Sequence, residues 1–177
     1  MIPLSKDSAK EQTQAHGEAF RFQLEILKME IQTIDGIVGR MDEITQTTKN
    51  WAVLTWAGGL AAALGSADLR KYAVLTAALP LVFWYTDAQW RRLQRRSTFR
   101  GAKIREFLNS PVLQESFASG KLVGFIVHDP IGWQYKGSEE YRNWVSMRKT
   151  LQYREIAGFY GFQVVFSLLA GLFFLVL

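Results

Sequence analysis

The sequence of 177 residues contains no cysteine, two histidines and four prolines. Without cysteine the chain forms no disulfide, no thiolate metal site and no cysteine nucleophile, so its fold depends on packing. Charge is also missing from three stretches, Asn50–Ala67, Tyr72–Thr86 and Ile156–Leu177. The apolar residues, 49% of the chain, are concentrated there, as is typical of membrane proteins.

The lengths of these stretches predict how they cross a bilayer. A hydrocarbon core of about 30 Å needs about 20 helical residues, and Ile156–Leu177 meets this length. The two shorter stretches are joined by a turn at Gly65-Ser66-Ala67-Asp68 and predict a transmembrane hairpin over 50–90. The alternative for this pair is a buried hairpin of a soluble helical bundle. We therefore expect an all-α integral membrane protein with about three transmembrane helices and long helices extending into a cytoplasmic region.

Lysine and arginine counts beside the spans predict orientation. The segment 91–155 carries 13 basic and 6 acidic residues, against 6 and 8 in 1–49. Since basic residues collect on the cytoplasmic side, segments 91–155 and 1–49 should both be cytoplasmic. The predicted divisions are a cytoplasmic coiled-coil helix (1–49), the hairpin (50–90), a basic cytoplasmic region (91–155) and a C-terminal transmembrane helix (156–177).

The N-terminal segment carries apolar residues at alternating spacings of four and three, which is a heptad pattern. Its members, here called the apolar stripe, are Phe20, Leu24, Leu27, Ile31, Ile34, Val38, Met41 and Thr45. The stripe predicts a helix that continues into the first span. It either associates with other copies of the chain or packs on the chain's own middle segment.

In the middle segment, Trp90–Asn109 should continue the second span as a basic helix, and Ser110-Pro111 should begin a short helix to about Ala118. Lys121–Val127 is the one strand-like run. Ser138 is the expected N-cap of a helix that runs directly into the third span.

Catalytic motifs are absent from the sequence: it has no phosphate loop, no GxSxG elbow and no HExxH helix. His128 and Asp129 could form an acid–base pair, but adjacent residues before a proline more often end a strand. We expect no enzyme, no catalytic residue, no metal site and no cofactor.

The basic helix offers two interpretations. Cationic residues just inside a membrane fix topology and attract anionic headgroups, whereas dense arginine can also bind phosphates. Trp133 and Tyr135 could stack on bases. The candidate ligand-binding residues are Arg91, Arg92, Arg95, Arg96, Arg100, Lys103, Trp133 and Tyr135.

Two residues stand out in the second span. Asp87 is an acidic residue near the lipid boundary, and it should pair or contribute to ion passage and gating. Pro80 removes one backbone hydrogen bond and predicts a kink.

Two short motifs carry a resemblance. Arg40-Met41 followed by Lys49-Asn50-Trp51, and Phe83-Trp84-Tyr85-Thr86-Asp87-Ala88 followed by Arg91 and Arg95, resemble a signature of small bacterial membrane proteins. The match covers about Leu24–Arg105. Some proteins of this appearance resemble membrane effectors of antiviral defence loci, the Hailong-type effectors among them. The resemblance implies the bacterial inner membrane and control by a nucleotide from a partner enzyme.

The sequence thus leads to one functional hypothesis and one rival. The first is a homo-oligomeric membrane effector, for example a tetramer, that forms an ion channel or pore in antiphage defence. It would be gated by a cytoplasmic nucleotide or oligonucleotide and would contact itself, membrane lipids and that anionic ligand. The rival is a membrane-anchored scaffold that recruits a cytoplasmic protein.

Overall fold

The computed structural model describes the backbone of residues 6–176 and the side chains of residues 16–174. The described part of the chain contains helices and no strand, so the all-α prediction is confirmed. The α-helices are α1 (Lys6–Gly65), α2 (Ala78–Leu108), α3 (Pro111–Ser119), α4 (Glu139–Trp144), α5 (Met147–Leu151) and α6 (Arg154–Val176). Two 3₁₀ helices cover Arg70–Ala77 and Trp133–Tyr135.

The chain forms two compact units, each built from two stretches. Unit 1 contains the described residues up to Val38 together with Arg96–Tyr141, and unit 2 contains Gly39–Arg95 and the described residues from Arg142 onward. The predicted divisions at 49, 90 and 155 follow the chain, whereas each unit combines parts that are distant in sequence.

The core of unit 1 forms where the apolar stripe of α1 meets the end of α2. Leu27 and Ile34 are buried against Ile104 and Phe107. The interpretation in which the stripe packs on the chain's own middle segment is therefore confirmed for these two residues. Helix α1 also continues without a break to Gly65, as predicted.

The strand predicted at Lys121–Val127 is wrong, because side chains replace a partner strand. The backbone N–H of Leu122 donates to Gln23 (3.2 Å), and that of Val123 donates to the Ser116 hydroxyl (3.0 Å). The apolar residues of this loop still pack on the core of unit 1: Leu122, Phe125 and Val127. The apolar pattern of this run therefore predicted correctly that its side chains are buried, but it predicted the wrong backbone conformation.

In unit 2, the second half of α1 packs with the first 3₁₀ helix, α2 and α6. One apolar cluster contains Ala52, Ile156 and Tyr160, and another contains Leu60, Ala63 and Ala73. The continuous helix predicted from Ser138 into the third span is wrong, since α4, α5 and α6 are separated at residues 145–146 and 152–153. The N-cap itself is confirmed, because the Ser138 hydroxyl accepts the N–H of Tyr141 (3.2 Å).

Pro80 lies in the first turn of α2 and is fully buried. Helix α2 continues directly from the first 3₁₀ helix, and the carbonyls of Leu75 and Thr76 already accept the N–H of Ala78. Pro80 has no N–H to continue this pattern. The helix type changes from 3₁₀ to α two residues before the proline, and the predicted kink stays a prediction.

Among the described residues, one candidate is long and apolar enough to cross a membrane, by length and composition. It covers Glu139–Phe174, that is, α4, α5 and most of α6. This agrees with membrane association, and the predicted hairpin over 50–90 stays a prediction.

Gly171 of α6 lies directly against the first 3₁₀ helix. A Cβ atom added at Gly171 would lie 2.6 Å from the backbone nitrogen of Val74, a distance that real Cβ atoms do not adopt. In contrast, a Cβ atom at Gly161 would meet no atom within 4 Å. The two glycines of one helix therefore have different roles, since only Gly171 permits a close backbone approach.

We predict opposite effects for the two alanine variants. Gly171→Ala should destabilise the protein by about 1–3 kcal/mol because the backbone at Val74 must move. Gly161→Ala should be neutral or stabilise by up to about 1 kcal/mol, since alanine favours a helix over glycine. Thermal unfolding of the full chain in detergent would measure both, and equal midpoints for the two variants would contradict the close approach.

Candidate functional site

Two of the predicted ligand-binding arginines in unit 2 hold the end of α4. Arg92 Nε donates to the carbonyl oxygen of Val145 (2.9 Å), and Arg95 Nε donates to that of Trp144. The Arg95 guanidinium also lies over the rings of Trp144 and Tyr153, 5.3 and 5.1 Å from their centroids. Carbonyls at a helix C-terminus lack intrahelical donors, and arginine is a favourable partner for them.

Arg91 forms a third intramolecular contact in unit 2. Its Nη1 lies 2.9 Å from Asp42 Oδ1 and 2.9 Å from Gln94 Oε1. Gln94 Nε2 donates to the same aspartate oxygen (3.0 Å). This group therefore joins α1 to α2 within the unit.

Arg100 is fully buried in unit 1 and forms an ion pair with Glu30 of α1. Arg100 Nε lies 2.6 Å from Glu30 Oε1, and Nη2 lies 3.2 Å from Oε2. The guanidinium also donates to the carbonyl of Ile126 and to the hydroxyl of Tyr135, and it lies 4.4 Å from the centroid of Phe125. This differs from the predicted ligand contact, because Arg100 faces Glu30 and has no solvent-accessible surface.

Glu30 also determines how the loop before α4 is held. Its Oε2 accepts the backbone N–H of His128 (2.7 Å), a residue whose φ of 69° lies in the left-handed region. The Asp129 carboxylate accepts the N–H groups of Trp133 and Gln134 at 2.7 and 3.0 Å. These contacts differ from the proposed acid–base pair. His128 contributes its backbone N–H, and the Asp129 carboxylate caps the second 3₁₀ helix.

The remaining predicted ligand residues also belong to unit 1. Lys103 Nζ lies 3.0 Å from both Glu106 and Glu140, and hydrogen bonds to these carboxylates raise the pKa of Lys103 above its usual range. Trp133 is exposed, with Lys136 Nζ 4.2 Å from its ring centroid. Arg96 is half-buried, and its Nε has no hydrogen-bond partner.

A cavity of about 540 Å³ opens beside Lys103 and Tyr135. Three carboxylates, those of Glu106, Glu115 and Glu140, line it together with the single lysine. A phosphate group placed there would meet more negative than positive charge, so this cavity does not fit an anionic nucleotide.

The interior of unit 2 contains a second group of polar residues, here called the polar cluster: Thr45 of α1, Asp87 of α2, and Tyr160 and Gln163 of α6. All four are buried. Neither oxygen of Asp87 has a hydrogen-bond partner, and the same holds for the Thr45 and Tyr160 hydroxyls and for Gln163 Oε1. Buried polar groups are usually satisfied, so each exception requires an explanation.

The polar face of α6 continues beyond this cluster. Ser167 Oγ accepts a hydrogen bond from Trp56 Nε1 (2.8 Å), and it lies 3.1 Å from Thr76 Oγ1. Tyr160, Gln163 and Ser167 are spaced by three and four residues, which places them on one side of the helix. These three polar side chains of α6 thus face the interior of unit 2.

Sequence reasoning singled out Asp87 but missed its neighbours, although a signal existed. Polar residues at 160, 163 and 167 interrupt an otherwise apolar stretch at helical spacing. Glu30 was missed as well, although it lies three residues after Leu27 and four before Ile34 and hence beside the apolar stripe. A charged or polar residue on the buried side of a helix indicates a partner elsewhere in the chain.

Comparisons of the chain with protein-family models, with curated proteins and with solved structures found no match.

We predict that Glu30→Gln destabilises unit 1 by about 3–5 kcal/mol, because Arg100 would remain buried without its counter-charge. The control is Asp42→Asn, which breaks the more exposed pair with Arg91 and should cost at most about 1 kcal/mol. Chemical denaturation of the full chain, followed by circular dichroism, would measure both.

The double variant Glu30→Leu with Arg100→Leu distinguishes two causes of destabilisation, an unpaired buried charge and the loss of contacts. It should be more stable than Glu30→Gln, since it leaves no buried charge. A double variant as unstable as the single one would show that the loop contacts of both side chains, and not their charges, dominate.

Proposed function

We propose that the protein is a three-span membrane protein of the bacterial inner membrane that conducts ions as a homo-oligomer. The observation that carries this proposal is the polarity within the three predicted spans of unit 2. Polar side chains such as Thr76, Gln163 and Ser167 are buried there, whereas many large apolar side chains are exposed. On α6, the exposed large apolar residues are Phe162, Val165, Phe166, Leu168, Leu169, Leu172 and Phe173.

The two other predicted spans have the same outer surface. In α1, Trp51, Val53 and Leu54 are exposed, and the second span exposes Tyr72, Leu75, Leu81, Val82 and Tyr85. A soluble monomer rarely exposes apolar surface of this extent, because burial of such area is the main favourable term in folding. Lipid hydrocarbon in contact with this surface would remove the free-energy cost of exposing it to water.

The interior supports conduction more than simple anchoring. Polar and ionisable side chains within membrane segments are costly and usually belong to ion or proton pathways. Three helices do not enclose a pore, so the proposal requires several copies around a closed symmetry axis, for example a tetramer. The polar side of α6 would then belong to the conducting route, either within each subunit or between subunits.

Charge supports the proposed topology. The basic excess of segment 91–155 supports a cytoplasmic location for it by the positive-inside rule, and two intervening spans would then put the N-terminal segment on the same side. A role as effector in antiphage defence rests on the resemblance of the hairpin motifs alone.

The contacts of the arginines modify the proposed control by a nucleotide. Arg91, Arg92, Arg95 and Arg100 all bind groups of the same chain. A nucleotide or oligonucleotide would have to replace these contacts or bind elsewhere. The proposal therefore assigns these four side chains a structural role, and nucleotide gating stays a prediction from the resemblance.

The apolar stripe distinguishes conduction from the rival function as a scaffold. A scaffold would recruit its partner through this stripe, yet Leu27 and Ile34 already lie in the core of unit 1. The geometry therefore favours the conducting protein.

We predict that Leu169→Arg strongly impairs membrane insertion. Leu169 is 62% exposed, and an arginine facing lipid near the middle of a span costs about 2.5–3.5 kcal/mol on insertion scales. The same change on a surface in water would alter stability by less than about 0.5 kcal/mol. Carbonate extraction of membranes, with Gln114→Arg on exposed α3 as control, measures the effect. Equal extraction of the two variants would contradict lipid exposure of α6.

We also predict ion conduction by the purified protein in voltage-clamped bilayers. Gln163→Leu removes a buried polar group from α6 and should lower the conductance, whereas Gln152→Leu, at an exposed position before α6, should leave it unchanged. Bilayers that contain correctly inserted protein and stay silent whatever nucleotide is added would refute conduction and favour the scaffold.

A further inference from the structure

Asp87 is a fully buried carboxylate whose two oxygens accept no hydrogen bond of normal geometry. The hydroxyls of Thr45 and Tyr160 lie close enough to interact with this carboxylate as weak, poorly aligned donors. A buried ionised carboxylate in such surroundings is costly unless it is paired or takes up a proton.

The groups that face Asp87 come from three helices. Lys49 and Thr45 belong to α1, Arg91 lies one turn further along α2, and Tyr160 belongs to α6. The two positive charges favour the ionised carboxylate, while its burial favours the protonated form. Both states therefore have a physical basis at this position.

The composition of the polar cluster distinguishes between two cations that could bind Asp87, a metal ion and a proton. A metal ion would need several anionic or carbonyl ligands, and no group of three or more metal-binding side chains exists among the described residues. Lys49 and Arg91 would also repel a metal cation. A proton, in contrast, needs one acceptor. Protonation also adds a donor to a cluster in which Asp87 and Gln163 Oε1 can only accept.

We propose that Asp87 is a proton-binding site, with Tyr160, Thr45 and Gln163 as its polar surroundings. In the forward step, a proton adds to one carboxylate oxygen and the group becomes a neutral carboxylic acid. In the reverse step, the O–H bond breaks and the proton passes to water, either directly or through a neighbouring hydroxyl that releases its own proton as it accepts this one, which restores the carboxylate. The proposal rests on the proposed function in one respect only, namely that the proton is then the conducted ion.

Infrared difference spectroscopy of the full chain in lipid, recorded during a pH titration, tests the site directly. The exposed carboxyl groups of the chain also gain a C=O stretch on acidification, so the signal to follow is a separate component from a carboxyl group shielded from water. This component should appear in the parent protein and in Asp42→Asn, and it should be missing in Asp87→Asn. Asp42 is a suitable control because it is an exposed aspartate of the same unit. A shielded component that persists in Asp87→Asn, or one that never appears in the parent, would overturn the proposal.

Tyr160→Phe provides a second test if Asp87→Asn fails to fold. It removes a hydroxyl beside Asp87 and keeps the ring, so the midpoint of the same carboxyl band should shift. An unchanged midpoint would show that Tyr160 is not part of the site.

Conductance distinguishes failure of this inference from failure of the proposed function. Under a pH gradient the reversal potential of the parent should follow the proton gradient, and Asp87→Asn should lose this component. A titrating Asp87 band in a protein that does not conduct would uphold the proton site and refute the proposed function. Conductance by a protein that lacks this Asp87 band would uphold the proposed function and refute the proton site.

Discussion

Unit 1 depends on one interaction, the buried ion pair between Glu30 and Arg100. Taking both charges out of water costs several kcal/mol per ion, and their attraction offsets this only when further hydrogen bonds satisfy the remaining polar atoms. Here Ile126, His128 and Tyr135 provide those bonds. The pair therefore fixes the position of residues 121–132, which form neither a helix nor a strand, and of the short 3₁₀ helix that follows them.

Unit 2 follows a different rule. Within its predicted spans, the large exposed side chains are apolar, and several of the buried ones are polar. In water this arrangement would lose the hydrophobic contribution of most of its large side chains. In hydrocarbon, packing of small residues and hydrogen bonds between helices replace that contribution. Gly171 against Val74 and Trp56 with Ser167 are examples of these two kinds of contact.

Much of the fold followed from local patterns. Heptad spacing predicted α1 and the burial of Leu27 and Ile34, and Ser110-Pro111 predicted the start of α3. These features depend on residues close in sequence. Other features join residues 40 or more positions apart or replace expected backbone pairing, and the sequence contains no rule for such matches. They are the ion pair of Glu30 with Arg100, the loop at 121–127 and the polar cluster around Asp87. The arginines illustrate this limit of prediction from sequence. Their number predicted that they bind oxygen acceptors, but it did not predict that these acceptors are carbonyls and carboxylates of the same chain.

The 3₁₀ helix at Arg70–Ala77 has a consequence for the length of the second span. A 3₁₀ helix rises about 2.0 Å per residue and an α-helix about 1.5 Å, so its eight residues cover about 16 Å where an α-helix would cover about 12 Å. With the α-helical residues from Ala78 to Asp87, the segment reaches about 30 Å, which matches a bilayer's hydrocarbon thickness. Because 3₁₀ hydrogen bonds are the weaker ones, conversion to α geometry would shorten the span by about 4 Å. In the proposed arrangement, the thickness of the surrounding lipid would bias this segment between a longer and a shorter form.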